Sequence, residues 1–317
     1  MYVEMDNIAD SFYQTAVVSG VPYRTEAFDI VVGSGRKGQT YLYWKGARLF
    51  QLPVSYYTAL NSWCNSPGYA SALVNFDRQI SAQCLECHAT YAAAESLKGE
   101  ALFNGHQVIY GIECEKCHGP AKQHVDYFTA HPKDSVSKYI INAKHLSRQQ
   151  KLDACALCHS GLRKEKQPAF SFAVGDKLDD FSITSYDEDS SAMLDVHGNQ
   201  YGLLTSSKCF RMSQMDCSSC HNVHVKEAGN MQVFSQRCMS CHNSINHDTC
   251  TLKDRGNIVL TANCIGCHMP LQPSKKIFLE LPDREKSTAD FVRTHRVGIY
   301  PIETKNYILK YNQSQQQ

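Results

Sequence analysis

The pattern Cys-x-x-Cys-His occurs six times in this chain of 317 residues, and no other feature constrains its fold as strongly. Twelve of the fifteen cysteines and six of the fourteen histidines belong to it. The paired cysteines are Cys84 and Cys87, Cys114 and Cys117, Cys155 and Cys158, Cys217 and Cys220, Cys238 and Cys241, and Cys264 and Cys267. The histidines that close the motifs are His88, His118, His159, His221, His242 and His268. Random placement would give far less than one copy, so the repetition indicates a shared chemical role.

The spacing within the motif suits one helical turn, because residues i, i+3 and i+4 project from the same side of a helix. Two cysteine thiols can therefore form thioether bonds with the two vinyl groups of one porphyrin. The histidine that follows then ligates the iron. The motif is typical of c-type haem attachment, and six copies predict six covalent haems c with the motif histidines as proximal ligands.

Other uses of paired cysteines fit this pattern less well. Zinc takes four ligands and would use two such pairs per ion, with no need for a histidine after every second cysteine. Thioredoxin-like redox motifs do not occur in sixes. A disulfide framework of six adjacent pairs fits less well still.

Charge and cysteine use indicate the compartment. Lysine and arginine number 32 against 31 aspartates and glutamates, a net charge of +1, which is unlike a generic nucleic-acid binder. A ferric haem with two ionised propionates carries a charge of roughly −1, so the chain with six haems would have a net charge of about −5. No apolar run approaches the roughly 18 residues of a membrane helix, and no signal peptide begins at Met1. Because c-type haem is attached outside the cytoplasm, we expect a mature, exported protein of the periplasm or the extracellular space.

The expected fold is that of a multihaem cytochrome c, mostly irregular, with short α-helices around the haems and a small β-rich N-terminal region. We predict a haem-free region at 1–75 and a three-haem module at 76–165. An acidic loop region at 166–208 separates this module from a second three-haem module with a C-terminal extension at 209–317.

Local patterns add three expectations. Alternating aromatic and branched residues at 40–44 and 48–52 around a Lys-Gly turn predict a β-hairpin. The glycine-rich segment 33–38 lacks the strand–loop–helix context of a phosphate site, so we interpret it as a turn. Within 166–208, short strands are expected around 170–174, and a group of acidic residues predicts a solvated loop. That group is Asp176, Asp179, Asp180, Asp187, Glu188, Asp189 and Asp195.

Eight histidines lie outside the motifs, and we expect four to six of them to be distal iron ligands. The strongest candidates are His124, His197, His224 and His295, followed by His106, His145 and His247, with His131, beside Pro132, last. His224 follows His221 too closely to reach the opposite face of the same haem, so it would ligate a neighbouring iron.

Three cysteines lie outside the motifs. Exported proteins seldom keep exposed thiols, and Cys209 and Cys250 flank the motifs at 217–242. We therefore expect a disulfide between these two and a buried, unbridged Cys64, although connectivity cannot be deduced from sequence alone.

The segment from Gly111 through the motif at 114–118 to Pro120 and His124 resembles multihaem c-type cytochromes. The family is that of the tetrahaem cytochrome that accepts electrons from hydroxylamine oxidoreductase. The stretches 32–44, 155–161 and 209–224 resemble larger multihaem relatives of it, so the similarity extends over most of the chain.

The same resemblance exposes a departure. In such proteins a histidine follows a segment like 11–16 and caps the haem of the His-Gly-Pro motif, but Val17 stands at that position here. The resemblance thus implies that the haem on Cys114 and Cys117 has lost its usual distal ligand, and that His124 has lost its usual iron. It also implies a five-coordinate haem at Cys84 and Cys87.

These observations favour electron transfer through a chain of six haems, with no catalytic residue. A narrower version makes the protein a repeating subunit of an extracellular conducting filament, with itself as partner; otherwise its partners are redox proteins. The alternative is a multihaem oxidoreductase that acts on a small nitrogen or sulfur compound at an open haem, which would need acid–base groups nearby.

Overall fold

The computed structural model describes residues 1–69, 74–184, 194–243, 250, 262–282 and 286–314. Its chain divides into two compact units. The first unit comprises residues 1–142, 167–174 and 275–290, and the second comprises 143–166, 175–274 and 291–317. The motifs at 84–88 and 114–118 therefore lie in the first unit and the other four in the second.

The strands are β1 (Tyr2–Ile8), β2 (Ser11–Val18), β3 (Val21–Ala27), β4 (Ile30–Val32), β5 (Gly38–Lys45), β6 (Arg48–Gln51), β7 (Val54–Tyr57), β8 (Ser62–Asn65), β9 (Arg78–Gln79), β10 (Ala89–Leu97), β11 (Glu100–Tyr110), β12 (Arg163–Glu165), β13 (Ser182–Thr184), β14 (Leu271–Leu279) and β15 (Thr288–Arg293). The helices are α1 (Ala82–His88), α2 (Glu115–His118), α3 (Lys122–Ala130), α4 (Arg148–His159), α5 (Gln200–Thr205), α6 (Lys208–Arg211), α7 (Met231–Met239), α8 (Cys264–His268) and α9 (Pro301–Ser314).

The hairpin predicted at 40–52 is confirmed as β5 and β6, which pair antiparallel from Leu42↔Gln51 to Lys45↔Arg48. Gly46 supplies the positive φ of +60° that the two-residue turn requires. The segment 33–37 is a turn between β4 and β5, as predicted. A Cβ at Gly33 would lie 2.5 Å from the carbonyl oxygen of Gly38, so only glycine fits there.

The strands β5 and β6 form the centre of a sheet with the order β8-β7-β5-β6-β9, and β4 also pairs with β5. The two faces of this sheet bury different sets of side chains because successive residues of a strand point to opposite sides. Leu42 and Leu49 pack with Leu85 of α1 on one side, and Tyr43 packs with Phe50 on the other. The helix that carries the first motif is thereby fixed to the sheet.

A separate three-stranded sheet, β1-β2-β3, precedes it. The buried side chain of Gln14 in β2 donates to the carbonyl oxygen of Val54 at 2.7 Å and accepts from its N–H at 3.0 Å. This pair of bonds imitates a backbone ladder and ties the small sheet to β7.

Strand structure extends beyond the β-rich N-terminal region, which corrects the expectation of a mostly irregular chain. The pair β10 and β11 covers most of 89–110, and β14 pairs with β15. The run Ala89–Leu97 lacks a regular apolar–polar alternation, so no strand signal was evident. Its turn residues are Lys98 and Gly99, with φ of +53° and +85°. The same Lys-Gly dipeptide occurs in the first hairpin, where Lys45 still belongs to the strand and the turn residues are Gly46 and Ala47.

In the second unit, α4 begins at a capping box in which Ser147 and Gln150 bond each other's backbone N–H. Its inner face buries Leu152, Ala156 and Leu157.

No strand forms at 170–174, contrary to prediction. Asp195 is not solvated either: it is 3% exposed and accepts from Ser274 Oγ at 2.8 Å. The acidic residues at 187–189 lie outside the described residues. Across the described chain, no helix is long and apolar enough to cross a membrane.

Candidate haem sites

Each Cys-x-x-Cys-His motif lies on a helical turn, as its spacing predicts. In the motif at 114–118, the carbonyl oxygen of Cys114 accepts from the N–H of Cys117 at 3.2 Å and of His118 at 2.9 Å. The motifs at 217–221 and 238–242 repeat both bonds at the same distances. The helices α1, α4 and α8 end on His88, His159 and His268. The two thiols and the imidazole of a motif therefore project together.

The motif thiols are accessible to a porphyrin, whereas Cys64 is not. None of the twelve motif cysteines is buried. Cys64 is 5% exposed and packs against Leu279 and Leu281, and burial raises the pKa of its thiol to about 11. A thiol in this state is a packing group, as expected for Cys64.

Three proximal histidines are oriented through their Nδ1 atoms. His118 Nδ1 lies 2.7 Å from the carbonyl oxygen of Ile141, and His268 Nδ1 lies 2.8 Å from that of Gly298. His159 Nδ1 lies 3.3 Å from Gln200 Oε1. An imidazole that donates from Nδ1 presents the lone pair of Nε2 to a metal. The residues present thus fit an iron ligated at Nε2.

Two arginines hold the backbone of motifs in the second unit. Arg237 Nη1 donates to the carbonyl oxygen of Cys220 at 2.6 Å. Arg293 Nη1 donates to the carbonyl oxygens of Ile265 at 2.8 Å and Met269 at 2.7 Å, at either end of the motif turn at 264–268. Sequence reasoning missed these arginines and the carbonyl acceptors of Ile141 and Gly298, because a bond to a backbone carbonyl leaves no motif in the sequence.

The four motifs of the second unit adjoin one another through their cysteines. The thiols of Cys155 and Cys217 are hydrogen-bonded, which raises the pKa of Cys155 and lowers that of Cys217. The thiol of Cys238 likewise donates to Cys264, whose pKa falls to about 6. Cys220 interacts electrostatically with both cysteines of the next motif along the chain, Cys238 and Cys241. Successive motifs are therefore neighbours in space as well as in sequence.

Among the predicted distal ligands, His295 is placed beside a motif histidine. The ring centres of His295 and His221 are 6.2 Å apart and their planes differ by 24°. Nδ1 of His295 is buried and has no hydrogen-bond partner in the described part of the chain. Burial lowers the pKa of His295 to about 4, so its ring is neutral at ordinary pH.

His124 is partly buried on α3 and its Nδ1 lies 2.8 Å from the carbonyl oxygen of Lys138, an arrangement that presents Nε2 as it does in His118. His131 has a similar bond to Tyr127 of its own helix at 2.9 Å, but it is exposed.

The other predicted distal ligands stay predictions. The exposed residues of this group are His106, His145, His197 and His224. The remaining candidate, His247, lies outside the described residues.

The disulfide predicted between Cys209 and Cys250 is wrong, because both are present as thiols. They adjoin different motifs: Cys209 interacts electrostatically with Cys220 and Cys241, and Cys250 with Cys267. Flanking the same stretch of sequence did not bring them together.

Comparisons with known proteins point to the same chemistry as this geometry. The family described as cytochrome c554 and c-prime matches residues 57–119, which include the motifs at 84–88 and 114–118. The multiheme cytochrome MtrA of Shewanella baltica (strain OS185) is 25% identical over 190 residues, 53% of this chain and 54% of that protein. The chain thus spans about half the length of the curated relative it matches. No solved structure gives a significant match.

These similarities and the six motif turns support the class of multihaem c-type cytochromes, whose cofactor is haem c and whose role is electron transfer. Within that class, the family match covers the two motifs of the first unit, and the four of the second lie beyond it.

Proposed function

We propose that the chain binds six haems c and conducts electrons through them. The observation that carries this proposal is the contiguity of the four motifs in the second unit, where thiols of different motifs are hydrogen-bonded. Haem c supplies a one-electron change at its iron. Closely spaced carriers of this kind form a conduit.

The protein's own residues would attach the haems, orient the histidine ligands and set the potentials of the irons. The twelve motif cysteines would form the thioethers, and the six motif histidines would be proximal ligands. Hydrogen bonds such as that of His268 to Gly298 fix the ring orientation and raise the basicity of the ligand. Differences in burial and in hydrogen bonding around the irons would spread their potentials.

The test is the intact mass of the purified protein, which should exceed that of the polypeptide by six haems. Replacing Cys238 and Cys241 together with alanine should remove one haem, whereas Cys64→Ala should leave six, because the buried Cys64 faces Leu279 and Leu281. Four or fewer haems in the wild type, or bound zinc, would contradict the proposal.

Export to the periplasm or the extracellular space belongs to this proposal, as do redox-protein partners. The filament subunit is its narrower form, in which a histidine or a terminal segment of one copy completes a haem environment of the next. A strictly monomeric protein whose irons are all closed by its own histidines would end the filament version and leave simple electron transfer. The subfamily that accepts electrons from hydroxylamine oxidoreductase is one setting for such a carrier.

A further inference from the structure

An orphaned nitrogen marks His295 as a residue whose partner is still to be identified. Its Nδ1 is buried without a hydrogen bond among the described residues. Leaving a buried polar atom unpaired destabilises the folded state, so such atoms in native proteins call for a reason. A neutral imidazole with an unpaired nitrogen is a good ligand for a transition metal.

The distance to His221 indicates where the metal would be. Each metal–imidazole bond is about 2 Å long, so two imidazoles on opposite sides of one metal have ring centres roughly 6 Å apart. The ring centres of His221 and His295 are 6.2 Å apart, and their planes are within 24° of parallel. Ordinary aromatic pairs also occur at about 4.5–7 Å. Aromatic packing supplies no hydrogen-bond partner for the buried Nδ1 of His295, whereas a metal bound at Nδ1 would satisfy it. The orphaned nitrogen therefore favours the metal, with Nδ1 as the ligating atom.

The backbone around His295 is held firmly enough to present a ligand. Thr294 is 1% exposed, and its N–H donates to the carbonyl oxygen of Pro270 at 3.1 Å. Val297 N–H donates to Ser207 Oγ at 2.8 Å. Gly298 accepts from His268, so the segment 294–298 already positions one motif histidine. A ligand on such a segment is preorganised and does not have to be ordered on binding.

We propose that His295 is the distal axial ligand of the haem attached by Cys217 and Cys220, on the face opposite His221. The inference rests on the proposed function, because that haem is part of it. Phe234, whose ring centre lies 5.4 Å from that of His221, packs beside the proximal ring. His159 also interacts electrostatically with both rings. The iron of the haem at the motif 155–159 is therefore the alternative iron that His295 could ligate.

The first experiment replaces His295 with alanine and measures two quantities on the loaded protein. Intact mass should still show six haems, because the thioethers do not depend on the distal ligand. Electron paramagnetic resonance should show one low-spin iron converted to high spin, and added imidazole should restore it. Glu95→Gln, at an exposed position of strand β10 outside every motif, should leave the spin count unchanged.

The second experiment assigns the iron. A protein with Cys217→Ala and Cys220→Ala should carry one haem fewer, and adding His295→Ala in that background should cause no further change of spin state. A further low-spin to high-spin conversion would show that His295 ligates another iron, such as that of the motif at 155–159, and would overturn the assignment.

A methionine variant covers the case in which His295→Ala fails to fold. His295→Met should keep six haems and raise the potential of one of them, because methionine in place of histidine raises haem potentials. Six haems with an unchanged spin count in His295→Ala, or unchanged potentials in His295→Met, would remove His295 from the ligands. Four or fewer haems in the wild type would instead count against the proposed function.

Discussion

Glu227 and Arg237 fix the motif at 217–221 through its backbone. Arg237 Nη1 donates both to the carbonyl oxygen of Cys220 at 2.6 Å and to Glu227 Oε2 at 2.7 Å. Glu227 also accepts from the N–H of Asn222 at 3.0 Å, just after the motif. The two charges thus bracket the turn that carries His221.

This ion pair should make the motif sensitive to acid. The hydrogen bond from Arg237 lowers the pKa of Glu227 from 4.5 to about 2. Because the folded-state pKa is depressed, the contribution to stability is fully present above 4.5 and is lost as the pH falls through 2. We expect the stability difference between wild type and Glu227→Gln to shrink over that window, as measured by denaturant midpoints at several pH values. Glu95→Gln, at an exposed strand position, serves as the control, and a difference that is flat with pH would contradict the assignment.

The sequence alone could not show which of the histidines outside the motifs are placed to be distal iron ligands. The sequence favoured His295 because it lies far beyond the last motif and could fold back, and the structure places it beside His221. His197 and His224 were favoured equally by the sequence and are exposed. What separates them is tertiary burial, which depends on segments such as 294–298 that have no motif of their own.

At the scale of elements, α4 shows how a motif inherits its position from ordinary helix chemistry. The helix starts at Ser147, whose Oγ accepts from Gln150 N–H at 3.3 Å, while Gln150 Oε1 accepts from Ser147 N–H at 2.9 Å. It ends on His159. Its cap therefore lies at one end and its proximal ligand at the other.

Removing this cap should weaken the second unit without affecting haem attachment. Ser147→Ala should lower the free energy of unfolding by about 0.5–2 kcal/mol, the usual cost of losing an N-cap. Thermal or denaturant unfolding followed by haem absorption would measure it, and intact mass should be that of the wild type. Ser171→Ala, at an exposed loop position, should be neutral. Equal stability of the two variants would argue that the capping box is not stabilising.

The elements were predictable where a local pattern was complete. The hairpin β5–β6 combines alternation with a Lys-Gly turn, and both signals were visible in the sequence. The hairpin β10–β11 has the turn but begins in an alanine-rich run, and alanine favours helix over strand. Its strands are fixed instead by packing, since Ala89, Ala92 and Phe103 enter the same core as Leu85.

At the scale of the molecule, two motifs lie in the first unit and four in the second. The number of motifs and the helical turn of each could be deduced from sequence. The contiguity of the last four could not, because it arises from contacts between residues far apart in the chain, such as Cys155 with Cys217.

At the scale of the molecule, an electron conduit and an enzyme differ in whether an iron is open to a substrate. An iron with two histidine ligands has no room for a substrate, so we expect rapid electron donation to haem proteins or electrodes with negligible turnover of nitrite, hydroxylamine and tetrathionate. Stopped-flow oxidation of the reduced protein and steady-state assays measure the two properties. Turnover at ordinary enzyme rates, roughly 1–10³ per second, would favour the oxidoreductase alternative, with the haem at Cys84 and Cys87 as the first place to look for an open iron.

The thiol contacts between motifs also bear on how the protein is made. Two thiols within hydrogen-bonding distance need only a two-electron oxidation to become a disulfide, and Cys238 already lowers the pKa of Cys264 to about 6, which favours the reactive thiolate. A chain that folded in an oxidising compartment before its cysteines were used would therefore be prone to cross-link one motif to the next. If the chain matures in such a compartment, these sulfurs must stay reduced until both cysteines of each motif have bonded to their porphyrin. The short distances between motifs would then make the order of assembly critical.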